Sequence, residues 1–182
     1  MSKCRIRLLW WLAMTGSSIA VGIALDVALD TERFALVVRV VGLAAMLLAR
    51  VPLQRTGRLL RMEGDPEEWG CTTRLVTHDI YRCVRHPHHV FVGIFMTGLA
   101  LLIGHPASFL VIAGVQWAWV AAFLLLVEEP ELEQKFGDAY LGYRRDVPMI
   151  VPRMRCLLAV LRTPIATLAA AEPDARRVGL KS

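Results

Sequence analysis

Residues 90–127 read VFVGIFMTGLALLIGHPASFLVIAGVQWAWVAAFLLLV and contain no Asp, Glu, Lys or Arg. A Gly-His-Pro turn at 104–106 divides this stretch into two apolar runs, at 90–104 and 108–127. About 20 helical residues span the roughly 30 Å hydrocarbon core of a bilayer. The second run is therefore long enough to cross a membrane, whereas the first needs flanking residues or burial in a bundle. The stretch predicts a helical hairpin within a membrane.

Two more apolar runs precede the hairpin, at 8–25 and 34–49. The second contains Arg39, which we expect either to snorkel to the outer interface or to pair with Asp26 or Asp30. Apolar residues make up 55% of the 182 residues. The mean hydropathy is +0.48, which argues against an ordinary soluble enzyme and against a disordered chain. We predict an all-α integral membrane protein. The alternative is that the two shorter runs, 34–49 and 90–104, are buried helices of a soluble fold.

One membrane domain with about four spanning helices accounts for the chain. Its predicted segments are spans at 8–25, 34–51, 89–104 and 107–127, a cytosolic loop at 52–88, a cytosolic segment at 128–152 and a C-terminal interfacial helix at 155–171. Nineteen of the 21 Lys and Arg residues lie on one side of these spans, and Arg33 and Arg39 are the exceptions. The positive-inside rule then places both termini in the cytosol, at a bacterial inner membrane or a eukaryotic endoplasmic reticulum. The net charge of +5 therefore requires no nucleic-acid partner.

The cysteines and histidines predict no metal site. Cys4, Cys71, Cys83 and Cys156 include no Cys-x-x-Cys pair, so they indicate neither a zinc site nor a disulfide framework. On the cytosolic side we expect reduced thiols. The histidines at 86, 88 and 89 lack a carboxylate within their own run, and we assign no metal ligand.

The segment before the hairpin carries the first group of chemically active residues and reads LVTHDIYRCVRHPHH at 75–89. Pro87 disfavours the α conformation for His86 and suits the first turn of a helix. We predict that Arg85, His86 and Pro87 turn into a helix N-terminus at the membrane surface. Free backbone N–H groups at such a terminus favour an anionic ligand group such as a carboxylate.

The hairpin ends in the second group, which begins with two glutamates and a proline at 128–130. Carboxylates at a membrane boundary need solvent or a partner. The proline interrupts the helix or restarts it at a first turn. Tyr140, Tyr143 and Arg144 follow at spacings that share one helical face. Opposite the carboxylates and the Arg-His turn, these side chains could enclose a zwitterionic cofactor.

Together the two groups resemble the isoprenylcysteine carboxyl methyltransferase family and the related phospholipid N-methyltransferases. The resemblance covers about Leu75 to Pro152: Leu-Val-Thr-x-x-x-Tyr-x-x-x-Arg-His-Pro, the uncharged hairpin, then Glu-Glu-x-x-Leu-x-x-x-Phe-Gly-x-x-Tyr-x-x-Tyr. It implies an integral membrane enzyme that uses S-adenosylmethionine. The acceptor it implies is lipophilic, most like a prenylcysteine carboxylate, with a phospholipid amine as the alternative.

The resemblance also implies site residues. The implied cofactor-binding residues are Val76, Thr77, Tyr81, Arg85, His86, Pro87, His89, Glu129, Tyr140 and Tyr143. Glu128 or Glu129 is the implied catalytic carboxylate, and Arg144, with Arg145 as second choice, borders the substrate. A carboxylate acceptor needs a cation to hold it, whereas an amine must lose a proton to a carboxylate. His89 stands where the family has tyrosine, so it must contact the cofactor differently.

Two functions from other classes stay open at this point. A membrane reductase of the sterol-reductase kind has a similar Arg-His-Pro turn but uses NADPH; this chain has no glycine-rich dinucleotide motif. A non-enzymatic membrane scaffold would bind no cofactor. The Glu-Glu-x-x-Leu continuation favours methyl transfer. The expected partners are membrane lipid and a lipophilic or prenylated substrate, and the sequence does not fix an oligomeric state.

Overall fold

A computed structural model describes residues 3–63 and 73–163 of the chain. Within these ranges the regular structure is entirely helical, which confirms the predicted all-α class. The elements in chain order are α1 (Lys3–Ala28), α2 (Leu36–Glu63), a 3₁₀ turn (Asp79–Arg82), α3 (Pro87–Ile103), α4 (Pro106–Phe123), a π-helical segment (Leu124–Glu128), α5 (Glu129–Phe136), α6 (Asp138–Asp146) and α7 (Met154–Arg162).

Three helical stretches are long and apolar enough to cross a membrane: Arg5–Ala28, Leu36–Glu63 and Pro106–Phe136. The helix Pro87–Ile103 is apolar but shorter. These four helices confirm the predicted integral membrane fold with its apolar hairpin.

Helix α2 is longer than the sequence predicts. It continues through Pro52 to Glu63, so residues 52–63, expected as part of a loop, are helical. The reason is tertiary packing, because Arg55, Thr56 and Leu59 on these turns are buried. Their burial supplies the stability that a helix with an internal proline would otherwise lack.

Close backbone approach holds the helices together. Helix α2 packs along α3, α3 along α4, and α4 along α1. At the crossing of α2 and α3, a Cβ atom on Gly42 would lie 2.6 Å from the carbonyl oxygen of Gly98. Small residues allow membrane helices to gain van der Waals contact in this way. At the other crossing, the Asp26 carboxylate of α1 accepts the N–H groups of Ala107 and Ser108, each at 2.9 Å, and so caps α4.

The charged residue inside the second apolar run does not pair with Asp26. The Nε of Arg39 donates instead to the carbonyl oxygen of Leu102 at 3.3 Å. This carbonyl belongs to the last turn of α3, where carbonyl groups lack helical donors and carry a partial negative charge. Because Asp26 is engaged by the start of α4, the predicted alternative of an Arg39–Asp26 pair is wrong.

A disulfide joins Cys83, which follows the 3₁₀ turn, to Cys156 in α7. The expectation of reduced thiols is therefore wrong for this pair. The fold places α7 against the 3₁₀ turn, with the two Cα atoms 5.5 Å apart, within disulfide range. Arg55 supports the same region, because it donates to Asp79 at 2.7 and 2.6 Å and to the carbonyl of Thr163 at 2.6 Å.

Part of the predicted interfacial helix is present as α7. This helix buries Leu157 and Val160 in a core cluster and exposes Met154 and Leu158, as an amphipathic surface helix does. The rest of the predicted helix, residues 164–171, lies outside the described residues, as do Cys71 and the side chain of Cys4.

Replacing Cys83 or Cys156 by serine is expected to lower the free energy of unfolding by about 2–4 kcal/mol, because the bond restricts the unfolded chain. Either substitution opens the same bond, so the double variant should lose little more than each single variant. Denaturant unfolding in detergent, with and without reductant, measures both effects. Additive losses, or a wild-type stability that reductant does not change, would contradict the pairing.

Candidate active site

The first group of residues, at 75–89, leads into α3 as the sequence predicts. Pro87 is the first residue of α3, and His86 is its N-cap residue. The backbone N–H of Arg85 donates to the carbonyl oxygen of Pro148 at 2.9 Å, which ties this turn to the segment after α6. The side chains of Arg85 and His86 therefore start from a fixed position at the end of the bundle.

The second group of residues, which begins at Glu128, reaches the same end of the bundle through the π-helical segment Leu124–Glu128. Pro130 has no N–H group, so the regular hydrogen-bond pattern cannot continue through it. The N–H of Glu129 donates to a carbonyl five residues back, and α5 starts with the proline in its first turn. Of the two predicted effects of Pro130, interruption of the helix or a restart at a first turn, the structure shows the second. Single turns of π-helix are frequent at functional sites, and here consecutive glutamates, Glu128 and Glu129, both contact His86.

Glu129 is a buried carboxylate surrounded by donors from two parts of the chain, the turn before α3 and helix α6; its side chain is 6% exposed. Nη1 of Arg85 donates to its two oxygens at 2.8 and 2.6 Å. Nε2 of His86 donates at 2.6 Å, and the hydroxyl of Tyr140 donates at 2.5 Å. Nε of Arg144 lies 3.4 Å from the same carboxylate. The structure thus brings five of the predicted site residues together.

The surroundings of Glu129 set the protonation of its partners. Burial would lower the pKa of His86, but the neighbouring carboxylates of Glu128 and Glu129 outweigh burial and raise this pKa to about 9. Burial and the hydrogen bond to Glu129 both raise the pKa of Tyr140. At neutral pH His86 is therefore a cation and Tyr140 a neutral donor, and both stabilise the ionised form of Glu129.

Glu128 lies on the other side of the His86 ring. Its Oε1 is 3.4 Å from Nδ1 of His86, and its Oε2 is 3.4 Å from Nδ1 of His89. The ring of His89 packs against Phe123, with 5.5 Å between the ring centroids. The sequence argued against a metal site because the run of histidines contains no carboxylate. The fold overturns this argument, because it brings Glu128 next to His86 and His89.

Four predicted cofactor residues lie away from this cluster or contact it indirectly. The hydroxyl of Tyr143 donates to the carbonyl of Tyr81 at 2.6 Å and so holds α6 against the 3₁₀ turn. Val76 and Tyr81 are buried in the core cluster that includes Leu157. Thr77 is exposed. Their direct contact with a cofactor stays a prediction.

A cavity of about 520 Å³ opens beside Glu129. Its walls are formed by Arg85, Leu125, Glu129, Pro130, Glu133, Gln134, Arg144 and Met149. This volume is in the usual range for small-molecule sites, roughly 300–1,000 Å³. Nε of Arg85 is buried and has no hydrogen-bond partner in the described part of the chain, so one donor there is available to a ligand. Arg145, the second choice for the substrate end, is exposed.

Comparison with known proteins identifies the family. Residues 31–139, more than half of the chain, match the family described as phospholipid methyltransferase. The chain belongs to this family, and the resemblance noted from its two motifs is confirmed.

Individual relatives match less than half of the chain. The protein-S-isoprenylcysteine O-methyltransferase of Schizosaccharomyces pombe is 38% identical over 78 residues, which are 43% of this chain and 33% of the relative. Protein-S-isoprenylcysteine O-methyltransferase A of Arabidopsis thaliana is 37% identical over 78 residues, 43% of this chain and 39% of the relative.

A third relative carries a different name. Methanethiol S-methyltransferase 2 of Bradyrhizobium diazoefficiens is 38% identical over 76 residues, 41% of this chain and 27% of the relative. The matched part therefore covers well under half the length of each of these relatives. No solved structure matches the chain.

Replacing Tyr140 by phenylalanine is expected to lower the free energy of unfolding by about 1.5–3 kcal/mol, because it removes a hydrogen bond to a buried charged group. Tyr143→Phe is the matched control, since its hydroxyl donates to a neutral carbonyl, and it should lose only about 0.5–1.5 kcal/mol. Denaturant unfolding in detergent compares them. A larger loss in the Tyr143 variant would contradict the central position given to Glu129.

Proposed function

We propose that this chain is an S-adenosylmethionine-dependent membrane methyltransferase whose site is the cavity beside Glu129. The observation that carries the proposal is the buried Glu129 carboxylate, held by Arg85, His86 and Tyr140 at the wall of that cavity. Family membership and the names of the relatives support methyl transfer as the chemistry. The proposed acceptor is a prenylcysteine carboxylate, by similarity to the relatives named for isoprenylcysteine.

The cavity fits the charge pattern of the methyl donor. S-adenosylmethionine, when bound, supplies an activated methyl group on a positively charged sulfur. Arg85, whose Nε lacks an acceptor, would hold the donor's carboxylate. Glu129 and Glu133 offer negative charge to its ammonium group, and Leu125 and Met149 offer apolar surface.

Arg144 is the residue best placed to hold an acceptor carboxylate. It lines the cavity, is about half exposed, and also pairs with Glu133 at 3.2 Å. An acceptor that is already ionised needs no general base, so the residues around it have only to position it and exclude water. Arg144, a half-exposed cation next to the buried Glu129 carboxylate, meets these requirements.

The same geometry is less suited to an amine acceptor. It would have to give up a proton, and the nearest buried carboxylate is Glu129. A carboxylate that already accepts hydrogen bonds from Arg85, His86 and Tyr140 is a weak base. The site therefore favours a carboxylate acceptor over a phospholipid amine.

The proposed topology places this chemistry at the cytosolic face. The excess of Lys and Arg that puts both termini in the cytosol also puts the ends of the hairpin there. A water-soluble donor would reach the cavity from the cytosol. The lipid tail of the acceptor would stay in the membrane and enter between helices.

Glu129→Gln tests the role of the carboxylate. The substitution leaves Arg85 and His86 without their buried partner, and kcat/KM for methylation of a farnesylated cysteine should fall by about 100-fold or more. Glu131→Gln is the matched control on the same helix, because Glu131 is exposed and pairs with Arg7 at the surface. It should keep its rate within about twofold. Full activity in the Glu129 variant would contradict the proposal.

The choice of acceptor is tested in the same assay with radiolabelled donor. A farnesylated cysteine, a phosphatidylethanolamine and a short-chain thiol are offered in parallel to the protein in detergent micelles. We expect transfer to the farnesylated cysteine at a rate well above the other two. Preferred transfer to the lipid amine or to the thiol would overturn the proposed acceptor and leave the proposed methyltransferase in place.

A further inference from the structure

We propose that His86, His89 and Glu128 bind one divalent transition-metal ion, with Glu129 as the outer carboxylate that orients His86. This site lies on the far side of the His86 ring from the cavity. It goes beyond methyl transfer and does not depend on it, because metal binding can be measured without a methyl donor.

The distances between the three side chains suit shared ligands better than hydrogen bonds. Oε1 of Glu128 is 3.4 Å from Nδ1 of His86, and Oε2, the second oxygen of the same carboxylate, is 3.4 Å from Nδ1 of His89. Normal N–H···O bonds are shorter, about 2.7–3.2 Å. Two ligands on one tetrahedral zinc ion, each bonded at about 2.0–2.1 Å, lie roughly 3.4 Å apart.

The three side chains are close enough together to share one ion. One ligand atom from each of His86, His89 and Glu128 lies within 4.8 Å of the other two. The rings of the two histidines are 6.2 Å apart between centroids and are nearly perpendicular, at 76°. A small movement of His89, which is partly exposed, would complete the site.

One oxygen of the carboxylate is left without a donor. Oε2 of Glu128 is buried and accepts no hydrogen bond from the described residues. Leaving a buried carboxylate oxygen unpaired is costly, by about 1–3 kcal/mol or more for a charged group. A cation between this oxygen and His89 would satisfy it.

The surroundings of the triad have the features of a metal site. The Nε2 of His86 donates to Glu129, which Arg85 and Tyr140 hold in turn. Metal-bound histidines almost always donate their second ring nitrogen to such a partner. The ion would take the place of the proton that His86 carries on Nδ1 at neutral pH, and this proton would be released to solvent. The ring of Phe123 packs against the ring of His89.

The ligand set points to a class of ion. Two imidazoles and one carboxylate suit zinc, iron, nickel or copper rather than magnesium or calcium, which prefer oxygen ligands. Three protein ligands leave a coordination position open, as in zinc sites that bind water or a substrate atom. The site is therefore suited to hold a ligand on the metal as well as to brace the end of α4.

The test is metal binding by the purified full chain after treatment with a chelator. Calorimetric titration with Zn²⁺ should show one ion per chain, with a Kd of about 1 µM or tighter. Titration with Co²⁺ should give visible absorption bands of a low-coordinate site. X-ray absorption of the zinc-loaded protein should show two imidazoles and oxygen ligands. Mg²⁺ should not compete.

Variants separate the triad from adventitious binding at other histidines. His89→Asn and Glu128→Gln should each weaken Zn²⁺ binding by about 100-fold, and Glu129→Gln by about 10-fold or more through the outer contact. His88→Asn and His78→Asn are the controls and should bind as the wild type does. Thermal unfolding checks that each variant is folded, and the X-ray absorption of the wild type gives an answer even if a variant is not.

Two results would overturn the inference. One is a wild-type protein that binds no stoichiometric Zn²⁺ at micromolar concentration. The other is Zn²⁺ binding that persists in His89→Asn and Glu128→Gln, which would place the ion elsewhere. Neither result would affect the proposed methyl transfer, which the assay of Glu129→Gln tests separately.

Discussion

The buried charge of Glu129 is the constraint on which the rest of the site depends. Its carboxylate is shielded from water and must be compensated locally, because breaking a buried ion pair costs about 3–5 kcal/mol. Arg85 and His86 come from the turn before α3, whereas Tyr140 comes from α6. These donors can meet only if α3, α5 and α6 converge at one end of the helical hairpin. The carboxylate therefore acts both as a structural centre and as one wall of the cavity.

The π-helical segment before Glu129 places two carboxylates, Glu128 and Glu129, on opposite sides of the His86 ring. Consecutive residues on a regular helix point about 100° apart, and the extra residue in this turn presents Glu128 and Glu129 to opposite nitrogens of His86. One side of the ring carries the cavity with its arginines, and the other carries His89 and the proposed metal ligands. The His86 ring thus contacts both sites. A change in the position or protonation of His86 at one site would therefore alter the other.

Local signals in the sequence predicted much of this architecture. The uncharged stretch 90–127 and Pro87 predict the hairpin and the start of α3, because hydropathy and proline act over a few residues. The Arg-His-Pro and Glu-Glu groups predict that these side chains lie together at the end of the hairpin, but not that Glu129 itself is the acceptor for Arg85, His86 and Tyr140. The Cys83–Cys156 bond and the contact of Glu128 with His89 were missed, because they depend on how distant segments pack. The length of α2 was missed for the same reason, since tertiary burial of its last turns overrides the proline.

Binding of S-adenosylhomocysteine to the purified protein in detergent tests the central claim most directly, with NADPH as the comparison. Isothermal calorimetry should show one site for S-adenosylhomocysteine and none for NADPH, with binding lost in a variant that removes both Arg85 and Arg144 from the cavity wall. Binding of NADPH in place of S-adenosylhomocysteine, by a folded sample, would contradict the account and indicate a reductase. Binding of neither would equally contradict a cofactor site at Glu129.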